Sequence, residues 1–283
     1  MLHGLYGSSL ELDAFAKALR QHGFHVAIPM LAGYSAPRGE SAVDSTRPSF
    51  LCWIAQAATE IDRLGTMFRE VNLCGVSLGA TLALAVAAEC SSKVDALSLI
   101  STTLILDGWN VSRWRFLLPL AYLTPLVGLY RHRERPPYGV KNERVRAWIV
   151  GEARRRRLSY AGPSRTSTKS LLEAHRLIRH VAASLGHIRT PTLMIHARED
   201  DAASLANVRF VRTHIGADMV RELVVENSYH MITLDNDCAY AADKTALFFD
   251  GVAKQRSKGA LADSQWVAML DRRPRNSERN RSS

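Results

Sequence analysis

Val71-Asn72-Leu73-Cys74-Gly75-Val76-Ser77-Leu78-Gly79-Ala80-Thr81-Leu82-Ala83-Leu84-Ala85-Val86-Ala87-Ala88 is the stretch that decides the fold. Its first part is a short apolar run bounded by a turn signal, the pattern of a strand buried on both faces. The part after Gly79 is a run of small and apolar residues, the pattern of a helix leaving the turn. Between them, glycines at 75 and 79 flank Ser77, and glycine presents no Cβ where strand and helix cross at backbone contact. A G-x-S-x-G spacing alone arises by chance. The strand before it and the helix after it supply the context that makes it a strand-turn-helix elbow with an exposed serine hydroxyl.

Working outward, further strand patterns fall at residues 24–28, 94–100, 192–196 and 221–225. Helical patterns fall at 10–21, 50–68, 78–89, 203–214 and 235–254. Short apolar strands alternating with helices predict an α/β fold, a mostly parallel sheet flanked by helices on both faces. Between 101 and 189 the alternation breaks into aromatics, prolines and an arginine run, with a helical pattern at 170–185. The expected organisation is a core over 1–100, an inserted helical cap over 101–186, the rest of the core over 187–255, and a disordered basic tail over 256–283.

The length of 283 residues suits one large domain, and 47% hydrophobic with 23% charged residues leaves ample material for a core. The net charge of +10 is local. Residues 131–157 carry ten basic and three acidic side chains, and 254–283 carry eight and three. Those segments contribute +7 and +5, so the remainder is net −2 and offers no basic face to a nucleic acid. Arg154-Arg155-Arg156-Arg157, with Glu143 and Glu152 nearby, reads as a solvated helical face. The longest apolar stretch, 116–130, is interrupted by Pro119 and Pro125 and is shorter than the roughly 20 residues of a membrane span, so no stable membrane insertion is expected. The first residues lack the basic start of a signal peptide. Cys52, Cys74, Cys90 and Cys238 show no paired spacing, which argues against a cysteine zinc site and points to a reduced, cytoplasmic protein.

A serine hydroxyl is a weak nucleophile until a base takes its proton and a carboxylate orients that base. Among ten histidines, His230 lies just past the last expected strand, where a loop could return it to the elbow. The strand pattern at 192–196 runs into Glu199-Asp200-Asp201, so Asp200 is the expected acid, with Glu199 and Asp201 as rivals. An oxyanion developing on the substrate needs backbone donors. Leu78, after the nucleophile, supplies one, and Leu5 in His3-Gly4-Leu5 is the candidate for the other.

These residues resemble the α/β-hydrolase superfamily, and within it the bacterial carboxylesterases similar to thermostable monoacylglycerol lipase. The resemblance is carried by Leu2-His3-Gly4-Leu5-Tyr6-Gly7, by the elbow at 75–79, by Pro191 through Asp200, and by Ser228-Tyr229-His230-Met231-Ile232-Thr233-Leu234-Asp235. It spans about residues 1–100 and 186–252. It implies metal-free ester hydrolysis through an acyl-enzyme, with Ser77, Asp200 and His230 in the family's chain order, and no cofactor. The expected substrate is a small-molecule ester with an apolar acyl group; a thioesterase or acyltransferase would use the same triad, and a non-catalytic binding protein would not need it intact. Trp114, Phe116, Leu120 and Leu123 are candidates for the acyl-binding surface, with packing inside the cap as the competing explanation. In this fold a strand leads into the oxyanion loop between the run at 24–28 and the elbow strand. Only Met1 and Leu2 precede His3, so the N-terminal strands are expected to be missing and the natural product is expected to begin further upstream.

Overall fold

The computed structural model describes residues 1–35, 49–111, 136–156 and 168–258. Its centre is a four-stranded, wholly parallel sheet of β1 (Asn72–Val76), β2 (Ala96–Ile100), β3 (Thr192–Ala197) and β4 (Val220–Val225), in the spatial order β1-β2-β3-β4. The helices are α1 (Asp13–Gln21), α2 (Phe50–Gly65), α3 (Leu78–Glu89), α4 (Glu143–Arg156), α5 (Thr168–Ser184), α6 (Ala206–His214) and α7 (Cys238–Lys258). Because side chains alternate across a strand, each strand feeds two cores. Leu73, Leu97, Leu99 and Met194 join Trp53, Ile54, Leu82, Leu177 and Val181 of α2, α3 and α5. Cys74, Val76, Ile100, Leu193 and Ile195 face the other way, onto Phe15, Leu19, Phe248 and Phe249 of α1 and α7. The fold is the α/β architecture that the alternating pattern predicts.

Helix α3 is buried from Leu78 to Ala87, which accounts for its lack of a polar face: sheet, α2 and α5 surround it. The elbow glycines are steric requirements. A Cβ on Gly75 would sit 2.3 Å from Gly79 O, and one on Gly79 would sit 2.3 Å from both Leu2 O and His3 O. The obstructing atoms are backbone, so no side chain can swing aside.

Residues 24–28, expected as a strand, form none. The neighbour they would pair with is Met1-Leu2. The Met1 amine donates to Ala27 O at 2.6 Å, and Leu2 makes a single parallel bridge to Gly75, with Leu2 N to Cys74 O at 2.8 Å and Val76 N to Leu2 O at 3.0 Å. Two residues make a bridge but no ladder. Helix α7 begins at 238, not at 235, because the Asp235 carboxylate is engaged by loop amides. Helix α4 carries the first three arginines of the basic run, and Asn142 caps it, its side-chain oxygen accepting from Arg144 N at 3.0 Å and Val145 N at 3.2 Å. Trp114, Phe116, Leu120, Leu123 and Arg157 lie outside the described residues, as does the tail from 259.

Candidate active site

The C-terminal edge of a parallel sheet is where successive strand-to-helix loops converge. At the end of β1, Ser77 adopts φ 56° and ψ −123°, a left-handed backbone that glycine takes easily and serine does not. Ser77 N donates to Ile100 O at 2.9 Å and its carbonyl accepts from Ala80 N at 3.0 Å, so strand β2 and the first turn of α3 fix the turn. The hydroxyl lies 2.8 Å from His230 Nε2. On the far side of the ring, Nδ1 is 2.9 Å from each carboxylate oxygen of Asp200. A carboxylate accepts and cannot donate, so the ring keeps its proton on Nδ1 and presents a bare Nε2 to the serine. The three side chains singled out in the sequence therefore stand in one hydrogen-bonded line.

Asp200 is the member of the acidic trio on that line. Burial by itself would raise its pKa, but attraction and hydrogen bonding from His230, with help from His196 and the Ala203 amide, hold it below the ordinary aspartate value. Its Oδ1 also accepts from Ala202 N at 2.9 Å and Ala203 N at 2.8 Å. Among the described residues the Asp201 side chain reaches only the backbone, accepting from His230 N at 3.3 Å. Glu199 is exposed and pairs with Lys141. Behind Asp200 is His196 on β3, 1% exposed, whose Nε2 lies 2.6 Å from Ala203 O and 3.3 Å from Asp200 Oδ2.

The loop after Leu2 is held by a buried chain of polar contacts. His3 Nδ1 donates to Gly4 O at 2.7 Å, and its Nε2 accepts from Ser35 Oγ at 2.8 Å. Ser35 Oγ in turn accepts from Leu31 N, and Tyr34 OH donates to His3 O, both at 2.8 Å. Gly4 N donates to the buried Glu11 carboxylate at 3.3 Å. Among the described residues no acceptor takes the amide of Leu5 or of Leu78. Those two amides are the oxyanion donors expected from the sequence, and they retain the capacity to bind one.

Several contributors were not singled out beforehand. Asp235 accepts from Tyr229 N, Asn142 N and Lys141 N at 2.9, 2.9 and 2.6 Å, which joins the His230 loop to the segment entering α4. Met231 N donates to Gly139 O at 2.7 Å at the same junction. Ser101, at φ 49°, donates from its hydroxyl to His230 O at 2.6 Å. A groove of about 420 Å³ lies between α1 and α4, lined by Leu10, Asp13, Ala14, Arg144, Val145, Trp148 and Leu234; none of Ser77, Asp200 and His230 lines it. Among the described residues no group of histidine, cysteine and acidic side chains is arranged to hold a metal ion, and no helix is long and apolar enough to cross a membrane.

Burial lowers the pKa of both His3 and His196, and their hydrogen bonds and the nearby Asp200 carboxylate only partly oppose it. Both rings resist protonation while folded, whereas in the unfolded chain they titrate near the ordinary value of about 6.5. Below that pH the unfolded state binds more protons than the native state, so stability falls as the pH drops through the window under about 6.5. The depressed Asp200 pKa adds a second loss at lower pH, below the ordinary aspartate value of about 3.9. We expect a lower urea midpoint at pH 5 than at pH 7.5, and a smaller difference in His196→Gln; equal wild-type midpoints would refute this account.

A parallel sheet with a serine elbow, a histidine loop and an acid loop at one edge defines a serine hydrolase of the α/β-hydrolase class. The family model described as "Serine aminopeptidase, S33" matches residues 1–237, and the chain belongs to that family. It is similar to the thermostable monoacylglycerol lipase of Bacillus sp. (strain H-257), 24% identical over 249 residues that cover 88% of each chain. Two solved structures resemble it with a TM-score of 0.71. One belongs to the metagenome-derived lipolytic enzymes LipS and LipT, at 20% identity over 88% of this chain and 91% of that one. The other is the Paleococcus ferrophilus monoacylglycerol lipase, at 16% identity over 89% and 93%.

Proposed function

We propose that the chain hydrolyses carboxylic esters with an apolar acyl group, through an acyl-enzyme formed on Ser77. The observation that carries this reading is the line from Ser77 Oγ through His230 to Asp200, on a strained elbow beside two amides without an acceptor among the described residues. Ser77 Oγ attacks the ester carbonyl as His230 Nε2 takes its proton. The oxyanion of the tetrahedral intermediate accepts from the Leu5 and Leu78 amides. Collapse breaks the bond to the alcohol, which leaves with the proton from His230. Water, deprotonated by the same nitrogen, then attacks the acyl-enzyme, and Ser77 regains its proton as the acid departs. Asp200 keeps its charge throughout and stabilises the imidazolium.

The lipases among its relatives, and the apolar residues at Trp114, Phe116, Leu120 and Leu123, support an acyl chain as the recognised group. The four free cysteines support the cytoplasm as its location. The reading needs neither nucleic acid nor a cofactor. A panel of p-nitrophenyl esters from acetate to palmitate, run beside an acyl-CoA and an aminoacyl amide, tests it. We expect ester cleavage with kcat/KM rising up to about fourfold per methylene until the pocket is full, from about 0.8 kcal/mol per buried methylene. A flat response from acetate to octanoate would reject the acyl pocket. Preference for the acyl-CoA or the amide would move the substrate class to thioesters or to peptides.

A further inference from the structure

We propose that Thr103 is a second catalytic hydroxyl, which donates to Ser77 Oγ while that atom carries negative charge. This rests on the reading of Ser77 as the nucleophile. Thr103 is 4% exposed, in the turn that leaves β2, and its Oγ1 lies 3.4 Å from Ser77 Oγ and 3.2 Å from Ser101 O. The turn is held on three sides. Thr81 Oγ1 donates to Thr103 O at 2.7 Å, Asn207 Oδ1 accepts from Leu104 N at 2.8 Å and Ile105 N at 2.7 Å, and Ser101 Oγ donates to His230 O.

Counting hydrogens gives the direction of the contact. Ser77 has one hydroxyl hydrogen, and the bare Nε2 of His230 at 2.8 Å takes it. Toward Thr103, Ser77 Oγ can therefore only accept. Among the described residues the Thr103 hydrogen has two acceptors, both distant at rest: the Ser101 carbonyl and Ser77 Oγ. As His230 removes the serine proton, Ser77 Oγ becomes the more negative acceptor, and a charge-assisted bond is shorter and about twice as strong as a neutral one. Catalytic contacts that are long in the free enzyme tighten in this way during reaction. The same donor acts again when the second tetrahedral intermediate expels Ser77 Oγ. No proton leaves Thr103 in either step, so His230 remains the base.

The test compares Thr103→Val with Thr103→Ser, using kcat and KM on p-nitrophenyl butyrate and the rate of Ser77 phosphonylation by a p-nitrophenyl phosphonate, which needs no deacylation. We expect Thr103→Val to lose about tenfold to a hundredfold in kcat and in phosphonylation, the range of one hydrogen bond to a charged group, with KM unmoved and with recovery in Thr103→Ser. A Val variant within about twofold of wild type overturns the proposal. So does a Ser variant as slow as Val, which would assign the effect to the methyl. If Val fails to fold, Thr103→Ala and Thr103→Ser, which differ by the hydroxyl alone, carry the same comparison. A wild-type chain inert to both probes overturns the esterase reading and this one with it; an active wild type with an unaffected Val variant overturns this one alone.

Discussion

Ser77→Ala will abolish ester hydrolysis while leaving the fold in place. The substitution removes one oxygen from a half-buried side chain and keeps a Cβ, so the backbone at 77 is no more strained than before. Loss of the nucleophile in a serine hydrolase lowers turnover by on the order of 10⁶, because the remaining groups act as a unit around it. Turnover of p-nitrophenyl butyrate and the melting temperature check both halves. Residual turnover within about tenfold of wild type would mean that another group attacks the ester.

Asp200→Asn will cost about 10⁴ in turnover, by analogy with other serine triads. The carboxylate holds the proton of His230 on Nδ1, whereas an asparagine can turn its NH₂ toward the ring. Nδ1 would then accept, the proton would sit on Nε2, and the atom that must receive the serine hydrogen would be occupied. Asp201→Asn is the matched comparison. It alters a carboxylate that meets the His230 backbone at 3.3 Å and not its ring, so its effect on turnover will be smaller. A greater loss from Asp201→Asn would reverse the assignment of the acid.

The elbow was legible because all its determinants are local: an apolar strand, two glycines four residues apart and a helix of small residues. β1, β2 and β3 were legible for the same reason, since a strand buried on both faces reads as a mostly apolar run; β4, half-buried and carrying Arg221 and Glu222, was legible only from its apolar end Leu223-Val224-Val225. Residues 24–28 look equally strand-like and form no strand, because a strand needs a partner and sequence periodicity does not report one. Thr103, Ser101 and Asp235 were illegible for a related reason. Their contacts reach 26 residues back to Ser77, 129 residues on to His230 and 94 residues back to Lys141. Nothing about a threonine after an apolar run distinguishes one that faces a nucleophile from one that caps a turn. His196, by contrast, was visible inside its strand pattern, but only the folded acid loop places its ring behind Asp200.

The backbone of Ser77 also bears on how such a chain evolves. A non-glycine residue held at φ 56° and ψ −123° forfeits about 1 to 3 kcal/mol. Glycine would relieve that strain at an entropic penalty of about 0.5 to 1 kcal/mol. Selection for stability alone would therefore replace the serine with glycine, and only selection for chemistry retains it. A lineage that abandoned hydrolysis and kept the fold as a scaffold would gain stability at its first step away from catalysis, which makes residue 77 the place to look for that change of occupation.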